Sequence, residues 1–247
     1  MSAVVVIPCY QPVLNAEEAR SADCCLRVLG HHDLRVVAPV GLSLPEPLSK
    51  LASERFALDR FNGIEAYNRM LLDAEFYERF RAWDFMLIYQ LDAWAFRDEL
   101  EDWCRQGFDY IGAPWGNAGF VEKYRRLRLI PRSSCFPWLS GLLYRNEFRV
   151  GNGGFSLRNI RAFLRVLRSN ETAVSRWGGN EDLFWSFLGT QLDRSFRIAF
   201  EDRAMRFALE LNPRAYVERM GGRLPFGCHA WQKYDPDFWG SFIQFSK

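Results

Sequence analysis

The chain is 247 residues long, with a formal net charge of +2, 49% hydrophobic residues and 25% charged ones. That length suits one domain with elaborated loops, and that composition excludes a disordered or fibrous chain. The near-neutral balance removes any general electrostatic argument for nucleic-acid binding, and no nucleic-acid partner is expected.

In chain order, residues 3–8 are a short β-branched run closed by Pro8, the pattern of a buried strand. Across residues 15–29 Ala19, Ala22, Leu26 and Leu29 recur among charges, which predicts an amphipathic helix closed by Gly30. Residues 34–40 read as a second strand running into a Pro/Gly-rich loop, and residues 62–80 as a helical stretch. Residues 85–89 (Phe-Met-Leu-Ile-Tyr) predict a third buried strand, residues 98–106 a helix and residues 110–114 a fourth strand. This alternation predicts an α/β fold with a mainly parallel central sheet flanked by helices. Residues 115–150 are irregular, with Lys123, Arg125, Arg126, Arg128 and Arg132 interleaved among Leu and Ile. Helices are then expected over 159–169, 182–188 and 202–211, ahead of an aromatic tail holding Pro225, His229, Trp231 and Trp239. Repeats, low-complexity tracts and linkers are lacking, so one domain is expected.

Arg outnumbers Lys by 28 to 4, and the aromatic residues are 21 Phe, nine Tyr and nine Trp. The arginine excess is read first as a GC-rich genome's bias, and the aromatics first as core. Individual arginines still suit phosphate or carboxylate, and individual aromatics suit sugars or bases. The six cysteines (Cys9, Cys24, Cys25, Cys104, Cys135 and Cys228) contain no CxxC pair, which reads as a reducing compartment. The N-terminus lacks a basic region ahead of its short apolar run, and no stretch approaches the ~20 apolar residues of a membrane span. A cytoplasmic protein, free or peripherally attached to the inner face of the membrane, is expected.

Four segments carry chemistry. Gln90-Leu91-Asp92 follows a buried strand, where open α/β sheets bind ligands; a turn or helix cap is the simpler reading of the lone Asp. Gly151-Asn152-Gly153-Gly154 implies positive φ or close approach to a ligand, and a tight turn also explains it. It lacks the spacing of a P-loop or dinucleotide fingerprint. Glu181-Asp182 opens a helix, where carboxylates favour the dipole and also suit a general base. His229 sits in Pro-Phe-Gly-Cys-His-Ala-Trp; a structural role is the simpler reading, and sharing a divalent cation with Asp92 is the chemical one. Zinc at Cys228 is rejected for want of a second Cys/His pair.

Taken in order, these segments resemble the core of GT-A-type glycosyltransferases. Val-Val-Val-Ile-Pro-Cys-Tyr looks like the first strand and its nucleotide-approaching loop, and Gln90-Leu91-Asp92 like the DxD metal motif with Gln in place of its first acid. Gly151 to Gly154 looks like the acceptor loop, Glu181-Asp182 like the base motif and His229 like the C-terminal metal ligand. Tyr-Ile-Gly-Ala-Pro-Trp and Gly-Asn-Gly-Gly-Phe-Ser-Leu-Arg further resemble a poorly characterised, mostly bacterial glycosyltransferase-like family. The resemblance implies a single GT-A-like, Rossmann-like domain over residues 1–247, with a nucleotide-binding half to about 114 and an acceptor-side half from about 115. It implies transfer of a sugar, with inversion, from a nucleotide-sugar donor (UDP-type favoured) to a hydroxyl of a glycan or lipid-linked glycan, as in polysaccharide biosynthesis. Asp92 and His229 would hold Mn²⁺ or Mg²⁺. Asp182, or else Glu181, would be the base. Pro8, Cys9, Tyr10, Arg69, Gln90 and Asp92 would meet the donor, and Gly151, Asn152, Gly153, Gly154 and Arg158 the acceptor. Residues 123–132 are either a solvated face or a basic loop touching an anionic glycan or membrane surface. Two rivals stand beside this reading: a metal-dependent hydrolase of a nucleotide sugar or phosphate ester, and a non-catalytic carbohydrate-binding module.

Overall fold

The computed structural model describes residues 1–116 and 150–243, so the basic segment 123–132 and Cys135 lie outside the described residues. Six strands form the main sheet: β1 (Ala3–Pro8), β2 (Asp33–Pro39), β3 (Ala52–Phe56), β4 (Phe85–Tyr89), β6 (Tyr110–Pro114) and β7 (Val150–Asn159). Their order is β3-β2-β1-β4-β7-β6. β3, β2, β1 and β4 run parallel, and β7 lies antiparallel to both β4 and β6. The central sheet is therefore mainly parallel, as expected. A smaller sheet, ordered β5-β9-β8, is made of β5 (Ala93–Ala95), β8 (Ala208–Leu209) and β9 (Gly227–His229).

The helices are α1 (Ala16–Leu29), α2 (Gly63–Met70), α3 (Ala74–Glu78), α4 (Leu100–Arg105), α5 (Ile160–Ser169), α6 (Glu171–Ser175), α7 (Glu181–Leu192), α8 (Glu201–Phe207), α9 (Pro213–Arg219) and α10 (Pro236–Gly240). α1 begins with a capping box, in which Asn15 Oδ1 accepts from the Glu18 backbone N–H and the Glu18 carboxylate accepts from that of Asn15. None of the helices among the described residues is long and apolar enough to cross a membrane. The five described cysteines are buried and unpaired.

The β-branched runs of β1 and β4 are buried on both faces because helices cover both sides of a parallel sheet. Alternate residues serve opposite layers. Val4, Val6, Met86 and Ile88 pack with residues of α2, α3, α5 and α7, while Val5, Ile7, Leu87 and Tyr89 pack with residues of α1 and α4. A third cluster joins Trp94, Tyr216, Trp231 and Trp239 at the small sheet.

Three elements differ from expectation. β3 was not anticipated, because in this edge strand only Phe56 is buried. The helical stretch 62–80 breaks into α2 and α3, with Asp73 Oδ1 accepting from the Glu75 N–H to cap the second piece. Gly151 to Gly154 are not a turn but the first half of β7.

Leu87, fully buried in the central strand β4, tests the two-layer packing. Leu87→Ala is expected to destabilise the protein by about 2–5 kcal/mol, read from the urea midpoint.

Candidate functional site

A cavity of about 620 Å³ opens where β1 and β4 end, at the carboxyl edge of the parallel strands. Pro8, Cys9 and Tyr10 form one wall, continued by Phe61 and Ile64 near α2; Tyr10 is 57% and Ile64 77% exposed, leaving an apolar slot open to solvent. Gln90 and Asp92 line the opposite side together with Gly153, Gly154, Asp182, His229 and Lys233.

The turn after β4 sets the first cluster. The Gln90 N–H donates to the Gly154 carbonyl at 2.9 Å, and the Ala93 N–H closes the turn on the Gln90 carbonyl at 2.9 Å. β5 follows at once and pairs with β9, with Ala93 opposite His229. The His229 ring is thereby delivered beside the turn: Nε2 lies 3.1 Å from Asp92 Oδ1 and 3.1 Å from Gln90 Oε1, and Nδ1 lies 3.1 Å from Glu210 Oε2. The Gln90 amide is oriented from its other end, where Nε2 donates to the Tyr67 hydroxyl at 3.4 Å. Burial opposes a charged imidazole, but hydrogen bonds to Asp92 and Glu210 outweigh it and hold the His229 pKa at about 10. For Asp92, burial raises the pKa and His229 more than offsets it, so the net shift is downward.

Two oxygens and an imidazole nitrogen converging at one point are a donor set that suits Mn²⁺ or Mg²⁺. Asp92, His229 and Gln90 therefore fit such a cation. A separate group stands outside the cavity: His31 Nε2 and His32 Nε2 lie 2.8 and 3.1 Å from the Asp98 carboxylate near the start of α4, in a largely exposed setting.

The second cluster forms at the start of α7. The Asn68 side chain on α2 reaches across to accept the Glu181 backbone N–H at 2.8 Å, supplying a cap that Asn180 does not. The Glu181 side chain turns inward to Arg158 Nη2 at 2.8 Å, and both residues are almost wholly buried. Arg158 also donates to the Tyr77 hydroxyl at 2.9 Å and to Ser156 Oγ at 3.1 Å. Asp182 faces the cavity. Burial, reinforced by the neighbouring Glu181 carboxylate, raises its pKa to about 7. A carboxyl group tuned to that value can exchange a proton near neutrality.

Gly153 and Gly154 make both clusters possible. A Cβ on Gly153 would fall 2.4 Å from Glu181 Oε1, and one on Gly154 would fall 2.0 Å from His229 Nε2. The glycines thus admit the protein's own carboxylate and imidazole against β7. The close approach read from the sequence is real, but its partners are side chains of this chain.

Pro8, Cys9, Tyr10, Gln90, Asp92, Asn152, Gly153, Gly154, Glu181, Asp182 and His229 all border the one cavity. Three expected contacts lie elsewhere. Arg158, expected at the acceptor, is fully buried behind β7, and its charge is taken up by Glu181. Arg69 is exposed on α2 and donates to the Ser175 carbonyl at the end of α6 at 3.4 Å. Gly151 packs against Trp115 and Ser186. Glu181 is correspondingly a partner for Arg158, and Asp182 is the carboxylate free to face a ligand. Sequence reading missed Tyr67, Asn68, Glu210 and Lys233, for which no spacing signal existed.

Among solved structures, the chain is similar to the bifunctional glycosyltransferase WbbM, with a TM-score of 0.54 at 12% identity over 98% of this chain and 49% of that one. It is similar to the galactosyltransferase LgtC, with a TM-score of 0.53 at 12% identity over 97% of this chain and 95% of that one. Mouse xyloside xylosyltransferase 1 gives a TM-score of 0.53 at 12% identity, over 93% of this chain and 97% of that one. The chain spans about half the length of WbbM and nearly all of the other two. The fold is that of GT-A glycosyltransferases. No curated protein matches the sequence. The chain belongs to the family described as "Protein of unknown function (DUF5672)", whose model matches residues 50–229.

The Arg158–Glu181 pair generates a stability prediction. Arg158→Met strands a buried carboxylate and is expected to cost about 3–5 kcal/mol in urea unfolding at pH 8, and Glu181→Gln in the same chain should recover part of it.

Proposed function

We propose that this protein is a glycosyltransferase that moves a sugar from a nucleotide-sugar donor to a hydroxyl of a glycan or lipid-linked glycan, with metal assistance and inversion. One observation carries the reading. The start of α7 and the turn after β4 bring Asp182, a carboxyl group with its pKa raised to about 7, and an Asp–His–Gln cluster to the same cavity. The GT-A fold supports it, because sugar transfer needs those two chemistries side by side.

In this reading the slot of Tyr10, Phe61 and Ile64 takes the nucleobase, with Tyr10 stacking on its face. Pro8 and Cys9 border the ribose, and a UDP-type donor is favoured. Asp92 and His229 hold the divalent cation, Mn²⁺ or Mg²⁺, with Gln90 completing the set. That cation supplies charge neutralisation for the departing diphosphate. Lys233, exposed on the cavity rim just past β9, adds a positive charge to the wall that carries Asp92 and Asp182. Asp182 accepts the proton of the attacking hydroxyl. The site operates on the inner side of a bacterial membrane in this reading. Residues 123–132, outside the described part, would meet the anionic surface or acceptor.

The test is a panel of UDP, GDP, CMP and dTDP, each with Mn²⁺ and with EDTA, followed by transfer assays with the sugar donors of whichever nucleotide binds. A nucleotide at ~100 times its Kd should add about 2.7 kcal/mol of stability. Asp92→Asn is expected to remove the Mn²⁺-dependent part of that gain. Asp182→Asn should keep the gain and lower kcat by about 10²–10⁴-fold. Free sugar as the sole product with every acceptor would favour the hydrolase, and glycan binding without nucleotide binding would favour the carbohydrate-binding module.

The pH profile follows from the same carboxylate. A base must be ionised to accept a proton, and Asp182 has its pKa raised to about 7. The rate should therefore climb about tenfold from pH 6 to a plateau above pH 8, and the Asn variant should lack this step.

A further inference from the structure

Glu210 is 8% exposed and belongs to neither expected motif. It follows directly on β8, where Leu209 pairs in parallel with Cys228 of β9, so the register of the small sheet sets it beside His229. Its Oε2 lies 3.1 Å from His229 Nδ1. A carboxylate buried to this degree needs a strong hydrogen-bond donor, and the imidazole N–H is that donor. The consequence lies at the opposite edge of the ring. A neutral imidazole carries one N–H and one lone pair, and the partner of one nitrogen decides the role of the other. When a cation takes the place of the Nε2 proton, Nδ1–H stays donated to Glu210 and the lone pair of Nε2 lies on the side of Asp92 Oδ1 and Gln90 Oε1, each 3.1 Å from that nitrogen. Gly154 leaves the ring room to sit flush against β7 in this orientation.

We propose that Glu210 is the positioning residue of the Asp92–His229–Gln90 cluster: it locks the Nδ1–H tautomer, aims Nε2 into the cavity and so sets the cluster's affinity for a divalent cation. This rests on the metal-assisted reading above. Removing an outer carboxylate of this kind lowers metal affinity about 10–100-fold, because the ligand loses both orientation and basicity.

The test is calorimetric titration of MnCl₂ alone into the full chain, without substrate, for the wild type, Glu210→Ala, Glu210→Gln and Asp92→Asn. Glu210→Ala is expected to weaken Mn²⁺ binding about 10–100-fold. Glu210→Gln keeps an acceptor for Nδ1–H without the charge and should fall between Ala and the wild type. Long-range proton–nitrogen NMR of the Mg²⁺-loaded protein should show a protonated Nδ1 and a bare Nε2 at His229, with the two tautomers mixed in Glu210→Ala. Wild-type affinity in Glu210→Ala, alongside lost binding in Asp92→Asn, overturns the role of Glu210 and leaves the metal reading standing. A wild type that binds no Mn²⁺ overturns both. Should Glu210→Ala fail to fold, Glu210→Gln decides alone, and wild-type affinity in that variant overturns the proposal.

Discussion

Beneath the floor of the cavity, the guanidinium of Arg158 on β7 meets the carboxylate of Glu181 at the first turn of α7, with neither group open to solvent. A charge pair so far from water is held by neighbouring polar groups. Tyr77, Ser156 and the Gly153 carbonyl all accept from Arg158, and Asn68 caps the helix that carries Glu181. The pair ties the antiparallel strand of the sheet to the start of a helix, and the position of Asp182 follows. The carboxylate of Glu181 also raises the pKa of its neighbour, so one group anchors α7 and tunes the adjacent carboxyl group. Division of labour between consecutive acids is what turns Glu-Asp from a helix cap into a catalytic candidate.

Gly153 and Gly154 extend the same logic. They look like a flexible loop in sequence, yet they lie within a strand, because the space their side chains would fill is held by Glu181 and His229. Smallness here serves packing between side chains from three distant parts of the chain.

Parts of this architecture were legible in advance for a simple reason. β1, β4 and β6 are buried on both faces and so read as apolar runs, and a helix such as α1 announces itself by apolar periodicity and a closing Gly30. β3 was invisible because an edge strand of Ala-Ser-Glu-Arg-Phe needs one buried residue only. The first half of β7 was misread because glycine carries no pattern of its own. Asp92 and Asp182 were singled out from their places after a strand and at a helix start, and His229 from its Pro/Gly/aromatic segment; all three border the cavity. Arg158 was misplaced because a charged residue in sequence gives no hint that a carboxylate 23 positions later will bury it. Glu210 escaped notice because only strand pairing brings it to His229, and Lys233 because it reaches the cavity from a turn past β9.

The pairing of β5 with β9 has a consequence of its own. Asp92 stands at the exit of the main sheet and His229 at the end of the small one, so a ligand gripping both would add a polar link between two sheets already joined by the packing of Phe155 on Phe226 and Gly227. Such a ligand acts as a removable rivet. Its free energy of binding would resist the parting of the sheets. The affinity of such a ligand and the resistance of the two sheets to separation would thus be one quantity measured in two ways.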